Sequence, residues 1–224
     1  MLIKTAMRSL IVLFFLGLIN FQPAHLKAQN PELSGSAAIF QQLQKLQVLG
    51  SVLYIAAHPD DENNSLLPYL AKEKKYRTAY LSLTRGDGGQ NLIGPEQGVE
   101  LGLIRTQELL AARQIDGAEQ YFTSAYEFGF SKTANETLQY WDRRKVLADM
   151  VWVIRKFQPD IIVNRFPPDA RAGHGHHASS AVLSIEAFTA AADPNQFPEQ
   201  LKQGVFVWQA KRLVWNTFNF GGAN

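Results

Sequence analysis

With 224 residues and no cysteine, the chain can build one domain with a real core but neither a disulfide framework nor a thiolate metal site. Any metal must therefore be held by His, Asp or Glu. The formal net charge of +2 comes from the first 28 residues, where Lys4, Arg8 and Lys27 stand without an acid; the remainder carries 19 basic and 20 acidic residues, net −1, which gives nucleic-acid binding no support.

Residues 1–28 read as a secretory signal peptide. Lys4 and Arg8 precede an apolar core, Leu10 to Ile19, too short for a comfortable transmembrane span, and Ala28 suits cleavage before Gln29. The expectation is an exported protein, periplasmic or extracellular, with no membrane span once the leader is removed. Residues 29–50 form a polar arm and then an amphipathic helix with Ile39, Leu43, Leu46 and Leu49 at helical spacing, expected to cover part of the core. Residues 51–224 make the main domain. Its first element is an apolar run, 52–57, that reads as a buried strand, with a helix expected over 62–75. A second strand follows at 76–84, rich in Thr, Tyr and Leu.

The glycine-rich loop 85–91 could in principle cradle a phosphate. It lacks the Lys-Ser/Thr of a P-loop and a full dinucleotide fingerprint, so it reads as a tight loop bordering a cleft. Residues 98–115 read as a helix in which Arg105 and Glu108, at i and i+3, have the spacing of a surface ion pair. A short strand at Tyr121-Phe122, an irregular aromatic-rich loop at 123–135 and a long helix over 137–157 come next. Then follow a buried strand at 160–165, a loop to Gly175, a helix over 178–192, and strands at 205–208 and 212–215. Nothing after them reads as a closing helix, as expected of a fragment or of the front of something longer. Strands alternating with helices, and apolar rather than alternating strand patterns, predict an α/β, Rossmann-like fold with a mostly parallel sheet covered by helices on both faces.

The histidines carry the chemistry. Beyond the leader they fall into two short motifs, His58 and the group His174, His176, His177. His58-Pro59-Asp60-Asp61-Glu62 sits where a strand ends, the place where open α/β sheets put their ligands. Carboxylates there could also cap a helix N-terminus, but the second histidine cluster at a comparable strand end favours a metal hydrolase. A catalytic zinc takes about three protein ligands and keeps a position for water. His58 and Asp61 with one histidine of the second cluster provide that set. Asp60 is free to accept a proton from water, and a second histidine can polarise a carbonyl or protonate a leaving amine.

These residues resemble the PIG-L/LmbE-like family of zinc-dependent N-deacetylases. Ala57 to Glu62 match its A-H-P-D-D-E motif, and His174 and His177 match its H-x-x-H motif. Thr84 to Gly89 resemble its T-x-G-E/D-x-G segment, and Leu103 to Glu108 its arginine-containing helix. The resemblance covers roughly residues 50–190. It implies zinc on His58, Asp61 and His177, Asp60 as general base, His174 as electrophilic or acid partner, and Arg105 as a substrate or oxyanion contact. The expected substrate is an N-acyl, most often N-acetyl, amide on an amino sugar or glycoconjugate. His176 departs from the family, which usually has Asp there to orient the first histidine; Asp169, in the preceding loop, is the candidate to support His174 instead, and a competing-ligand role is the alternative for His176. Two other readings are another zinc amidase or peptidase, and a carbohydrate-binding module with a residual metal site. An intact Asp60 argues against the last.

Overall fold

The structure, a computed structural model, describes residues 35–89 and 91–217. Residues 1–34, on which the expected signal peptide falls, residue 90 and the last seven residues lie outside the described residues. Strand β1 (Ser51–Ala56) is buried along its whole length, as its uninterrupted apolar sequence requires. It is flanked by β2 (Arg77–Ser82) on one side and β4 (Ile161–Asn164) on the other, with β3 (Glu119–Phe122) and β5 (Arg212–Trp215) outside them. The order β3-β2-β1-β4-β5 is parallel at every pairing.

Helices cover both faces. Leu53 and Ile55 point into a core shared with α5 (Arg143–Phe157) and α6 (Gly175–Ala190). Val52, Tyr54 and Ala56 point the other way, against Leu67 of α2 (Leu66–Pro68, continued as a π-helical turn over Tyr69–Glu73) and Leu109 of α3 (Val99–Asp116). Alternate side chains of one strand thus feed two cores. The chain leaves β1 to build β2 on one side and later returns to add β4 on the other. The crevice above the carboxyl ends of β1 and β4 is therefore the switch point of the sheet, where such folds bind ligands.

Several expected elements are corrected. The helix expected from 62 begins only at Leu66, because Asn63 Oδ1 accepts from the backbone N–H of Ser65 and Leu66 and holds the preceding residues as a turn. The long helix over 137–157 is two, α4 (Ala134–Tyr140) and α5. Trp141 is extended between them, and Asp142 caps α5 by accepting from Lys145 N–H at 3.0 Å. Helix α6 starts three residues early, at Gly175, with His174 as its N-cap. Residues 205–208 form no strand. They follow α7 (Pro198–Leu201), and Trp208 donates its backbone N–H to the Ala191 carbonyl and its indole N–H to the Pro159 carbonyl. The first helix, α1 (Ser36–Lys45), buries no residue among those described, and Ile39, Phe40 and Leu43 stay exposed. It does not cover the core.

One buried charge ties the far end of α6 to the core. Arg155 is 1% exposed and donates to the carbonyls of Ala190, Ala191, Asp193, Gln196 and Phe197 and to Gln200 Oε1. It satisfies the last carbonyls of α6 and the turn after them, at the helix end where a cation is favoured. Arg155→Met would leave those carbonyls buried without donors, at a cost of about 3 kcal/mol. In a chain of this size that lowers Tm by about 6–12 °C. A thermal melt shifted by less than about 2 °C would contradict the role assigned to Arg155.

Candidate metal centre and active-site cleft

His58, Pro59, Asp60 and Asp61 form the turn that follows β1. The turn is closed on itself, since Asp61 Oδ2 accepts the backbone N–H of His58 at 2.7 Å and Tyr80 donates its hydroxyl to the His58 carbonyl. Glu62, the last residue of the motif, points behind the site to Arg113, at 3.3 Å, and Arg113 also holds Asp116. The second histidine cluster arrives from the loop after β4. As N-cap of α6, His174 accepts at Nδ1 the backbone N–H of His176, at 3.1 Å. His176 and His177 lie in the first turn of that helix. Gly175, between His174 and His176, is obligatory: a Cβ there would meet Ser131 Oγ at 2.3 Å and the Thr133 carbonyl at 2.5 Å.

Three of these side chains converge. His177 Nε2 lies 3.2 Å from His58 Nδ1 and 3.4 Å from Asp61 Oδ1, and His58 Nδ1 lies 3.2 Å from Asp61 Oδ2. Donors held about 2.0–2.1 Å from a tetrahedral cation stand about 3.3 Å apart, so the spacing fits a zinc-sized ion. His177 is prepared for this role. Its Nδ1 donates to the Ala172 carbonyl at 3.1 Å, which leaves the lone pair on Nε2, and its ring stacks on Phe166 with centroids 3.7 Å apart. Burial pushes the Asp61 carboxyl up, but the hydrogen bonds and charges of His177 and His58 outweigh it and hold the group well below the usual range.

The trio opens into a cleft of about 630 Å³, which Asp60, Arg105, Phe130 and His174 also line. A carboxylate oxygen of Asp60 lies within 4.8 Å of ligand atoms of both His58 and Asp61. Arg105 faces the cleft, and its ion pair is with Asp60 Oδ2, at 3.0 Å, in place of the surface pair that its spacing to Glu108 suggested. The glycine loop makes this possible. A Cβ on Gly86 would stand 2.9 Å from Arg105 Cδ, and one on Gly89 would stand 2.7 Å from Arg105 Nη1. The loop is thus a bed for an arginine.

Behind His58 lies a second, buried group that the sequence did not reveal. His176, 0% exposed, stacks on Trp141 and packs against the edge of Phe128. Its Nδ1 is 3.1 Å from His58 Nε2. Glu127, from the irregular loop after β3, places Oε1 3.6 Å from His58 Nε2 and Oε2 3.5 Å from His176 Nδ1. Thr84 donates its hydroxyl to Glu127 Oε1, and Gly88 leaves room for the side chain, since a Cβ there would meet Glu127 Cβ at 2.3 Å. His58, Glu127 and His176 are also close enough to share an ion, but on the walled side of the ring. The one hint in the sequence was the histidine at 176, which, if buried, needs a polar partner. Asp169 is not the support suggested for His174, because both its oxygens are held by Arg171.

Comparisons with known proteins bear on the family and the fold. Residues 53–188 match the PIG-L family, described as GlcNAc-PI de-N-acetylase. A 1D-myo-inositol 2-acetamido-2-deoxy-alpha-D-glucopyranoside deacetylase 2 of Frankia casuarinae is 31% identical over 183 residues, 71% of this chain and 55% of that protein. A diacetylchitobiose deacetylase of Thermococcus kodakarensis is 34% identical over 146 residues, 64% of this chain and 51% of its own. The chain spans about half the length of these curated relatives. Among solved structures, the N,N'-diacetylchitobiose deacetylase of Pyrococcus horikoshii superposes with a TM-score of 0.58 at 19% identity, over 82% of this chain and 70% of that one. A 4-carboxy-2-hydroxymuconate hydratase of Pseudomonas putida gives 0.54 at 21% identity, over 74% and 64%. These structural matches show the fold; that one of them is a hydratase leaves the reaction to be argued from the site.

The cap geometry sets the state of His174. With Nδ1 accepting a backbone N–H, the ring proton sits on Nε2. Burial pushes its pKa down to about 4, helped by the neighbouring His176, His177 and His58 and opposed by Glu127. A histidine with a depressed pKa is neutral at pH 7 and gains its charge only in acid. In the metal-free protein, an NMR titration of the His174 ring should give a midpoint near 4. A midpoint near the ordinary value of about 6.5 would contradict the capped, neutral form.

Proposed function

This chain belongs to the PIG-L family, and from that premise we propose that it is a zinc-dependent hydrolase removing an N-acetyl group from an amino sugar or glycoconjugate. The observation that carries the reading is the convergence of His58 Nδ1, Asp61 and His177 Nε2 at 3.2–3.4 Å on the open side of the cleft. These three hold the zinc. The alternative group with Glu127 and His176 is buried at 8% and 0% side-chain exposure, which leaves no open position for water or substrate. Zinc, when bound, supplies Lewis acidity for the carbonyl and lowers the pKa of water to about 7.

The remaining work falls to the chain. Asp60 accepts the proton of the attacking water, with its carboxylate oriented by Arg105. His174 faces the same cleft as a neutral Nε2–H donor, suited to stabilise the oxygen on which charge develops at the amide carbon. It serves as an electrophile in the state the structure gives it. The Arg105 fork, beside Asp60, offers donors for a sugar hydroxyl or the same oxygen. Two relatives are named for N-acetylated amino sugars, which supports that substrate class here. Export, inferred from residues 1–28, favours a glycan or glycoconjugate over a cytosolic metabolite.

The test is acetate release from a panel of N-acetylated saccharides, with and without a chelator. Chelator-sensitive release is expected; cleavage of peptides with none of the saccharides would sink the substrate assignment. Asp60→Asn should retain the metal and lose about 10²–10⁴-fold in kcat/KM, the usual share of a general base. Turnover close to that of the parent enzyme would move the role elsewhere.

A further inference from the structure

The motif match accounts for the open side of His58 but not for what stands behind it. Imidazole has two nitrogens, and a histidine that ligates a metal through one carries its proton on the other. With Nδ1 turned to Asp61 and His177, the His58 proton sits on Nε2 and needs an acceptor. At that spot His58 Nε2, His176 Nδ1 and Glu127 form a triangle with sides of 3.1, 3.5 and 3.6 Å. With a proton on both facing nitrogens the 3.1 Å contact between the rings is not a hydrogen bond, and Glu127, which as a carboxylate can only accept, is the acceptor that faces both among the described residues. The burial of His176 agrees. Its Nε2 has no hydrogen-bond partner among the described residues and lies among Trp141 and Phe128. An N–H there would be buried unpaired, whereas at Nδ1 it faces Glu127.

We propose that Glu127 is a positioning residue of the metal centre: as the acceptor facing Nε2 it fixes the proton of His58 there and presents Nδ1 to the metal. This rests on the assignment of zinc to His58, Asp61 and His177. The geometry also says what a carboxylate at position 176 would do. Nδ1 of histidine and Oδ of aspartate are both one bond from Cγ, so an aspartate at 176 would put an oxygen where Nδ1 now stands, 3.1 Å from His58 Nε2. Glu127 is built to stay in place. Thr84 donates its hydroxyl to Oε1, and Gly88 leaves room for the side chain. Asp87 Oδ1 accepts its backbone N–H at 3.3 Å.

The test measures zinc affinity by competition with a chromophoric chelator for the full-length protein and for Glu127→Gln, His176→Asp and the double variant. Removing a partner of a ligating histidine typically weakens metal binding by about 10–100-fold, and Glu127→Gln should do so. In the double variant the carboxylate introduced at position 176 faces His58 directly, so affinity should recover by about tenfold or more over Glu127→Gln. A purely structural role for Glu127 predicts no such rescue. Affinity of Glu127→Gln within about twofold of the parent, or no recovery in the double variant, would overturn the proposal. A parent protein that binds no zinc would instead overturn the metal assignment beneath it. If Glu127→Gln does not fold, histidine ¹⁵N spectra of the zinc-loaded parent decide the matter. Expected is His58 protonated at Nε2; a proton on Nδ1 overturns the proposal.

Discussion

The two nitrogens of His58 face different worlds, and the rest of the site is arranged around that difference. Nδ1 looks into the cleft, where Asp61 and His177 stand at metal-ligand spacing. Nε2 looks into the protein, where His176 and Glu127 are buried. The ring can hold this position because it follows a fully buried central strand and because Asp61 and Tyr80 pin its own backbone. Its environment is therefore set by the sheet before any metal arrives, and a rigid platform of this kind is what a precise ligand set needs.

The same economy runs through the glycine loop after β2. Thr84 holds Glu127, Gly88 leaves it room, and Gly86 and Gly89 leave room for Arg105. One short segment therefore serves both the buried side of His58 and the open cleft beside Asp60. In a phosphate-binding loop the glycines let backbone N–H groups approach an anion; here they let two long side chains from elsewhere lie across the backbone. Substitution of these glycines would be felt behind His58 and at Asp60.

Much of this was legible in the sequence, for identifiable reasons. The apolar run of β1 could only be a strand buried on both faces, which fixed the parallel sheet and the crevice. Short-range motifs placed His58, Asp60, Asp61, His174 and His177 at that crevice. What escaped was long-range. Glu127 lies in a loop without periodicity, and nothing local links it to His58, some seventy positions earlier. Nearness in sequence suggests that the residue at 176 orients the His174 ring. Residue 176 does so through its backbone N–H, which the His174 ring accepts, while its side chain turns Nδ1 to His58. The break at Trp141 was hidden because the helical pattern continues across it, and α1 misled because an amphipathic stripe does not by itself name a partner.

The central claim, that the metal sits on the Nδ1 side of His58, is tested most directly by an anomalous difference map at the zinc edge from crystals of the zinc-loaded protein. A single peak about 2.0–2.2 Å from His58 Nδ1, an Asp61 oxygen and His177 Nε2 is expected. A peak on the far side of the ring, among His58 Nε2, His176 and Glu127, would contradict it.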